Sequence, residues 1–384
     1  MTDLRGVLIT LLCRLLSLAF APFLQHKVPE RFPSSILILK PCCIGDVLMS
    51  TAAIAQLRKA FPRAKLAVAV GRWSREVLER NPNIDEFIDC GTIGSGLHTR
   101  PRDYLAFISQ TKRAHFDMCI VLDRSPLIST IPFLAHIPRR IGLDSKGRGF
   151  TLTDKVPCPP ERHEVELYLD TVRKMGITTI EPRLEFYPNE EDIAWARERM
   201  GERNRPTVAI HPGGGVNPGM ELPSKRWLPE GFAAVTDRLL DRGARVVIVG
   251  ATSEQSLANE VKSYLSSSLA TDAYFVTDLT GSTSLSQLGA VLGECDLFIG
   301  NDAGPTHLAA AAGIPVVAIF GPSNPALYRP FTRRSVVLYK GTSCSPCLVQ
   351  GKRPPPCPDI RCMRDITVED VWRVVESLLK KGEE

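Results

Sequence analysis

From residue 36 onward, short runs that are apolar throughout alternate with segments of helical periodicity. Nothing else in the sequence limits the fold so strongly. Residues 36–39, 66–70, 118–122, 208–210, 246–249, 297–299, 316–320 and 336–339 read as strands. Most lack the in-out alternation of a half-exposed strand, so they suit a parallel sheet covered on both faces. Between them Val47, Ile54, Leu57 and Phe61 recur at gaps of seven, three and four, and Phe232, Val235 and Leu239 repeat the helical spacing, as do Leu285, Leu288 and Leu292. Strand alternating with helix specifies an α/β fold with right-handed crossovers. The polar stretch 181–205 separates two such series. The expected domains are therefore 31–185 and 186–362, with an N-terminal segment 1–30 before them and a C-terminal helix within 363–384 after them. Thr367 and Asp370 form a capping-box-like start for that helix, with Val368, Val371, Trp372, Val375 and Leu379 on one face.

At 384 residues the chain is long enough for two domains. Its 44% hydrophobic and 23% charged residues exclude a disordered chain and a multi-span membrane protein. Eleven cysteines are too dilute for a disulfide scaffold. The net charge of +5 hides an asymmetry: residues 1–160 hold 22 Lys+Arg against 13 Asp+Glu, a net of +9. A basic front half suits an acidic partner such as phosphate, anionic lipid or nucleic acid.

Residues 7–24 carry Arg14 as their only charge. A spanning helix needs about 20 apolar residues, and a central arginine costs about 2.5–3.5 kcal/mol on insertion scales. Ala19-Phe-Ala21 resembles a signal cleavage site, but Arg14 and the cysteines stand against export. Two readings remain. One is an interfacial helix on the cytoplasmic leaflet, with Arg5, Arg14, Lys27 and Arg31 among anionic headgroups. The other is a helix packed on the protein's own surface.

In open α/β sheets, ligands bind beyond the carboxyl ends of the strands. Three unusual loops of the second half fall there: His211-Pro-Gly-Gly-Gly215 continuing to Lys225-Arg-Trp227, Gly300-Asn-Asp302-Ala-Gly304-Pro-Thr306-His307, and Gly321-Pro-Ser-Asn-Pro325. Consecutive glycines let backbone N–H groups approach an anion, and Pro305 suits the first turn of a helix whose positive end faces a ligand. Lys225 supplies a mobile cation. The chemistry indicated is diphosphate binding. Taken alone, His307 is better read as a structural histidine. No G-x-G-x-x-G follows any strand, and no G-x-x-x-x-G-K-[ST] occurs, which sets aside a dinucleotide dehydrogenase and a P-loop kinase. In the first half, residues 36–51 pass from a strand through Gly45 into a helix that carries Asp46 near its start. Asp46 is either a helix cap, worth about 1 kcal/mol, or a carboxylate placed to take a proton from an acceptor hydroxyl.

These motifs resemble those of the glycosyltransferase family 9 heptosyltransferases of lipopolysaccharide core assembly. The likeness runs from Ile44-Gly-Asp46 and Thr51 through His211-Pro-Gly213, Lys225-Arg-Trp227 and Pro229. It continues with Asn301-Asp-Ala-Gly304-Pro-Thr-His307, Phe320-Gly-Pro-Ser-Asn-Pro325 and Cys344-x-Pro-Cys347. The resemblance implies a GT-B fold, two Rossmann-like doubly wound domains facing across a cleft. It also implies inverting, metal-independent transfer of heptose from ADP-L-glycero-β-D-manno-heptose to a phosphorylated, Kdo-bearing lipid A acceptor at the cytoplasmic face of the inner membrane, with no nucleic-acid partner. Under it Asp46 and Lys225 are catalytic, and Gly213, Gly214, Glu254, Thr283, Asp302, Ala303, Gly304 and His307 bind donor, with Glu254 on the ribose and Thr283 near the adenosine. Ala303 stands where some members have Thr, and 213–225 differs in length and composition from some members. A related transferase using another nucleotide sugar, or a catalytically silent nucleotide-sugar-binding protein, are the competing functions.

No cofactor is expected for catalysis. Cys344, Cys347, Cys357 and Cys362 have spacing suited to a structural zinc pinning the loop around Lys352–Pro356, with reduced thiols and reversible disulfides as the alternatives.

Overall fold

A computed structural model describes residues 4–24, 32–94, 99–217, 220–266, 268, 272, 274–349, 357 and 359–380. The chain divides into two compact units, Met1–Pro182 and Arg183–Glu384.

The first unit opens with helix α1 (Leu4–Leu24) and contains strands β1 (Ser35–Leu39), β2 (Lys65–Val70), β3 (Glu86–Asp89), β4 (Met118–Val121), β5 (Arg139–Asp144) and β6 (Asp154–Pro157). Its other helices are α2 (Ile44–Ala60), α3 (Arg72–Arg75), α4 (Pro101–Arg113), α5 (Pro126–Leu134) and α6 (Glu164–Arg173). The strands pair in parallel in the order β3-β2-β1-β4-β5-β6. Ile36, Leu37, Ile38 and Leu39 are fully buried, as a central strand flanked by helices on both faces requires.

The second unit repeats the plan. Its strands are β7 (Thr207–His211), the two-residue hairpin partners β8 (Val216–Asn217) and β9 (Met220–Glu221), β10 (Arg245–Ile248), β11 (Val276–Asp278), β12 (Leu297–Asn301), β13 (Val316–Ile319) and β14 (Ser335–Leu338). Around them run α7 (Glu190–Met200), α8 (Pro229–Asp241), α9 (Gln255–Ser263), α10 (Leu285–Gly293), α11 (Gly304–Ala311), α12 (Pro325–Tyr328), α13 (Arg361–Arg364) and α14 (Val368–Lys380). The main sheet is again parallel, in the order β11-β10-β7-β12-β13-β14.

In both sheets the first strand lies inside, the next strands add on one side and the later ones on the other. The order therefore reverses beside β1 and beside β7, and the loops leaving the β1/β4 and β7/β12 pairs diverge there. Such switch points are where this architecture leaves room for ligands.

All eight strands expected from the sequence are present, with ends shifted by one or two residues. The additional β3, β6 and β11 are short edge strands carrying charged residues, so they lack the uninterrupted apolar signature. The start of α14 forms a reciprocal cap: Asp370 N donates to Thr367 Oγ1 at 3.1 Å and Thr367 N to Asp370 Oδ2 at 2.9 Å. Val371, Trp372 and Val375 then enter the same core as Phe232, Val235 and Leu239 of α8, each burial contributing about 1.5–3 kcal/mol.

Candidate active site

The second unit gathers its chemistry at the β7/β12 switch point, and a residue at the end of β12 organises it. Asn301 is fully buried. Its Oδ1 accepts from Trp227 N at 2.9 Å, and its Nδ2 donates to Pro212 O at 3.0 Å and Gly213 O at 2.8 Å. One amide thus joins the glycine loop after β7, the Lys225-Arg-Trp227 segment and the Asp302–His307 turn. Arg226 adds a second stitch, donating from Nε to Gly214 O at 2.9 Å. Thr306 Oγ1 donates to Asn301 O, which closes the turn into α11. Asn301 stands in the Asn301–His307 motif, but its type alone assigns it no role there. An asparagine ending an otherwise apolar buried strand was the available signal, because a buried amide must find partners.

Glu254 occupies the space beneath the glycines. Its Oε2 lies 3.1 Å from His211 Nε2 and accepts from Ala251 N at 2.8 Å, while Oε1 accepts from Gly214 N at 2.6 Å. Burial alone would raise its pKa, but the His211 ring and these two backbone N–H groups lower it to about 2. A Cβ on Gly213 would lie 2.1 Å from Oε1, so only glycine allows this approach. Glu254, expected at a ribose, already serves as an internal brace for the loop, and the Gly214 N–H, expected to face an anion, points at that brace.

Lys225 is held rather than mobile. Its Nζ lies 2.6 Å from Asp302 Oδ2, and both side chains are largely buried. Burial works against the charge on Asp302, yet Lys225, a Ser323 hydrogen bond and the nearby His307 ring keep its carboxyl below the ordinary range. Ala303 is the N-cap position of α11, Gly304 its first residue and His307 its buried fourth. These residues form one charged constellation at the positive end of a helix. Thr283 takes no part in it. It precedes Ser284, the N-cap of α10, in a loop tied to the one after β10 by Gly281 N donating to Gly250 O at 2.9 Å.

The first unit has its own cluster at the β1/β4 switch point. Asp46 is the third residue of α2. The N-cap position belongs to Cys43, which makes no side-chain cap bond, so the capping reading of Asp46 does not hold. Asp46 Oδ2 instead meets Lys40 Nζ at 3.2 Å, and its side chain keeps 29% of its exposure. Lys40 directly follows β1, is 5% exposed and lies over the Tyr168 ring, 5.7 Å from its centroid. Burial opposes its charge, but Asp46, Asp123 and Glu164 hold its pKa above the ordinary range. Next to it Arg124 Nη1 contacts Glu164 Oε1 at 2.6 Å. Burial, aided by Asp46, keeps the Glu164 carboxyl raised despite that contact. Lys40, Arg124 and Glu164 were not singled out from the sequence. A lysine directly after a wholly apolar strand was the readable sign, since such a position is buried and its charge needs a partner.

Cys344, Cys347, Cys357 and Cys362 all lie in the second unit. Among the described residues no group of three or more His, Cys, Asp or Glu is arranged to hold a metal. The four thiols are near enough to act on one another electrostatically. Cys362 is buried beside Met363, and a Cβ on Gly321 would lie 3.0 Å from its sulfur. Cys344 Sγ pairs with Thr342 Oγ1 at 3.6 Å, and Cys357 Sγ donates to Asp359 O at 3.3 Å. Lys352–Pro356, the loop such a zinc would pin, lies outside the described residues, as do Lys27 and Arg31.

A profile of glycosyltransferase family 9 (heptosyltransferase) matches residues 104–357. The chain belongs to glycosyltransferase family 9. Among its relatives, Lipopolysaccharide heptosyltransferase 2 of Escherichia coli K12 is 27% identical over 314 residues, 79% of this chain and 87% of that protein. The crystal structure of a glycosyl transferase family 9 protein from Veillonella parvula superposes with a TM-score of 0.74 at 24% identity, covering 91% of this chain and 97% of that one. Escherichia coli ADP-heptose lps heptosyltransferase II superposes with a TM-score of 0.70 at 25% identity, covering 91% and 100%. The family 9 chain is thus an α/β glycosyltransferase of the GT-B class, built from two Rossmann-like units.

Proposed function

We propose that this enzyme is an inverting heptosyltransferase that takes ADP-L-glycero-D-manno-heptose as donor and the lipopolysaccharide inner core, a phosphorylated Kdo-lipid A type molecule, as acceptor. The observation that carries the reading is the Asn301-stitched constellation of Lys225, Asp302 and the start of α11 at the β7/β12 switch point. The names of the Escherichia coli relatives, which specify ADP-heptose and lipopolysaccharide, support the choice of donor and acceptor.

In this mechanism Lys225 and the N–H groups opening α11 meet the donor diphosphate as the bond from the anomeric carbon to ADP breaks and negative charge collects on the leaving oxygen. Groups already in place stabilise that charge without reorganising. Asp302 accepts hydrogen bonds from sugar hydroxyls. Asp46, aligned by Lys40, takes the proton of the acceptor hydroxyl while its oxygen forms the new bond on the opposite face of the anomeric carbon. The bond broken and the bond made exchange one leaving group for one nucleophile, and the proton ends on Asp46.

ADP release, measured with ADP-heptose against a series of other nucleotide sugars, tests the donor. Preference for a different sugar replaces heptose with the second reading, a related transferase of the same family. Asp46→Asn tests the base: turnover should fall by about 10²–10⁴ with donor binding nearly intact. Undiminished turnover in that variant refutes the mechanism, and donor binding without any release favours a silent nucleotide-sugar-binding protein.

A further inference from the structure

The helix α1 has two unlike faces. One is docked on the first unit: Cys13 is 3% exposed, Lys155 Nζ donates to Ser17 Oγ at 2.7 Å, and the Phe20 ring meets Phe133 and Phe150 edge-on at 5.3 and 5.6 Å between centroids. The stem of Arg14 lies over Gly147. The helix is therefore held at a fixed rotation, as the surface-packing reading of the sequence requires. The other face is bare. Leu8, Leu11, Leu12, Leu15 and Leu18 follow one another at helical spacing and are 53–74% exposed. On α5, which supplies Phe133, Leu127 and Leu134 are exposed as well.

A stripe of five exposed leucines needs an occupant, since contiguous apolar surface of this kind marks an interaction site. Charge selects which. The helix has no acidic residue, Arg14 stands exposed at the edge of the stripe, and Lys155 and Arg148 lie beside its docked face, with Asp144 the acidic group among them. A second copy meeting this face would bring two basic helices together. An anionic lipid surface offers hydrocarbon to the leucines and headgroup charge to Arg14. Among the described residues no helix is long and apolar enough to cross a membrane, and one face of α1 is already committed to protein contacts.

We propose that the outer leucine stripe of α1 lies in the plane of an anionic membrane and seats the first unit on it, with Leu8, Leu11, Leu12, Leu15 and Leu18 at the acyl boundary and Arg14 at the headgroups. The test of this surface requires no turnover. Full-length protein is floated with vesicles of phosphatidylethanolamine and phosphatidylglycerol, and with vesicles of phosphatidylcholine alone. The protein should rise with the anionic vesicles and largely stay behind with the neutral ones. The triple variant Leu11→Asp, Leu15→Asp, Leu18→Asp should bind at least about a hundredfold more weakly, since each exposed leucine moved into the acyl boundary contributes a full side-chain burial. Arg14→Gln should reduce the preference for anionic over neutral vesicles. Circular dichroism checks that the triple variant is folded, and Leu18→Asp alone, at the most exposed position, gives the same direction with the least disturbance. Failure of the wild-type protein to float, or equal flotation by a folded triple variant, overturns the proposal. So does a wild-type dimer that the triple variant converts to monomer without any change in vesicle binding.

Discussion

Replacing Asn301 with alanine removes the amide that joins three loops. The substitution deletes a hydrogen bond from Trp227 N and two to the carbonyls of Pro212 and Gly213, all in a fully buried place. Each bond contributes about 1 kcal/mol net, and a buried N–H stranded without an acceptor costs about 1–3 kcal/mol more than one that water can reach. Together these give a destabilisation of about 4–6 kcal/mol, placed on the second unit. Urea denaturation followed by tryptophan fluorescence suits the measurement, because Trp195, Trp227 and Trp372 belong to that unit and only Trp73 to the other. ADP affinity, measured by calorimetry below the transition, should fall as well, since Lys225 and Asp302 lose their common anchor. Asn301→Asp separates the parts of the argument: it keeps the acceptor for Trp227 N but turns a carboxylate toward two carbonyls, and should destabilise at least as much as alanine. A loss below about 1 kcal/mol with unchanged ADP binding in Asn301→Ala would refute the stitching role.

Three further outcomes follow from the same geometry. Gly213→Ala places a methyl 2.1 Å from Glu254 Oε1 and should destabilise by at least about 1–3 kcal/mol, seen as a lowered melting temperature. Glu254 titrates at about 2 when folded against an ordinary 4.5, so its stabilising charge is fully present above pH 4.5 and is lost as pH falls from there through 2. The difference amounts to about 3 kcal/mol, and Glu254→Gln should flatten the stability profile over that window in urea titrations. Lys40→Met leaves Asp46 without its ion pair and should lower kcat while donor KM stays the same, read in the ADP-release assay.

The interior of each sheet was legible because burial on both faces leaves an unbroken apolar run, as at Ile36–Leu39. The edges were not. Glu86–Asp89 and Asp154–Pro157 are covered on one side only and tolerate charge. β5 hid for another reason: Arg140 is 7% exposed within it, satisfied by the carbonyls of Thr151, Ile137 and Pro138, a solution visible only after folding. The site divides the same way. Glycines, a proline at a helix start and a lysine raise the expectation of an anion-binding loop by their types alone. That Glu254 braces the glycines, or that Lys40 aligns Asp46, depends on partners which the chain brings together in three dimensions.

The contact between Lys225 and Asp302 fixes a long side chain by an internal partner. A cation awaiting a diphosphate would ordinarily sample many rotamers and gather anions from solution. Here it rests against an internal counter-ion, so the long side chain has surrendered most of its rotational freedom before any nucleotide arrives. Under the proposed mechanism, capture of the nucleotide amounts to a trade of one anionic neighbour for another, and the entropy of ordering that lysine falls on folding instead of on each catalytic cycle.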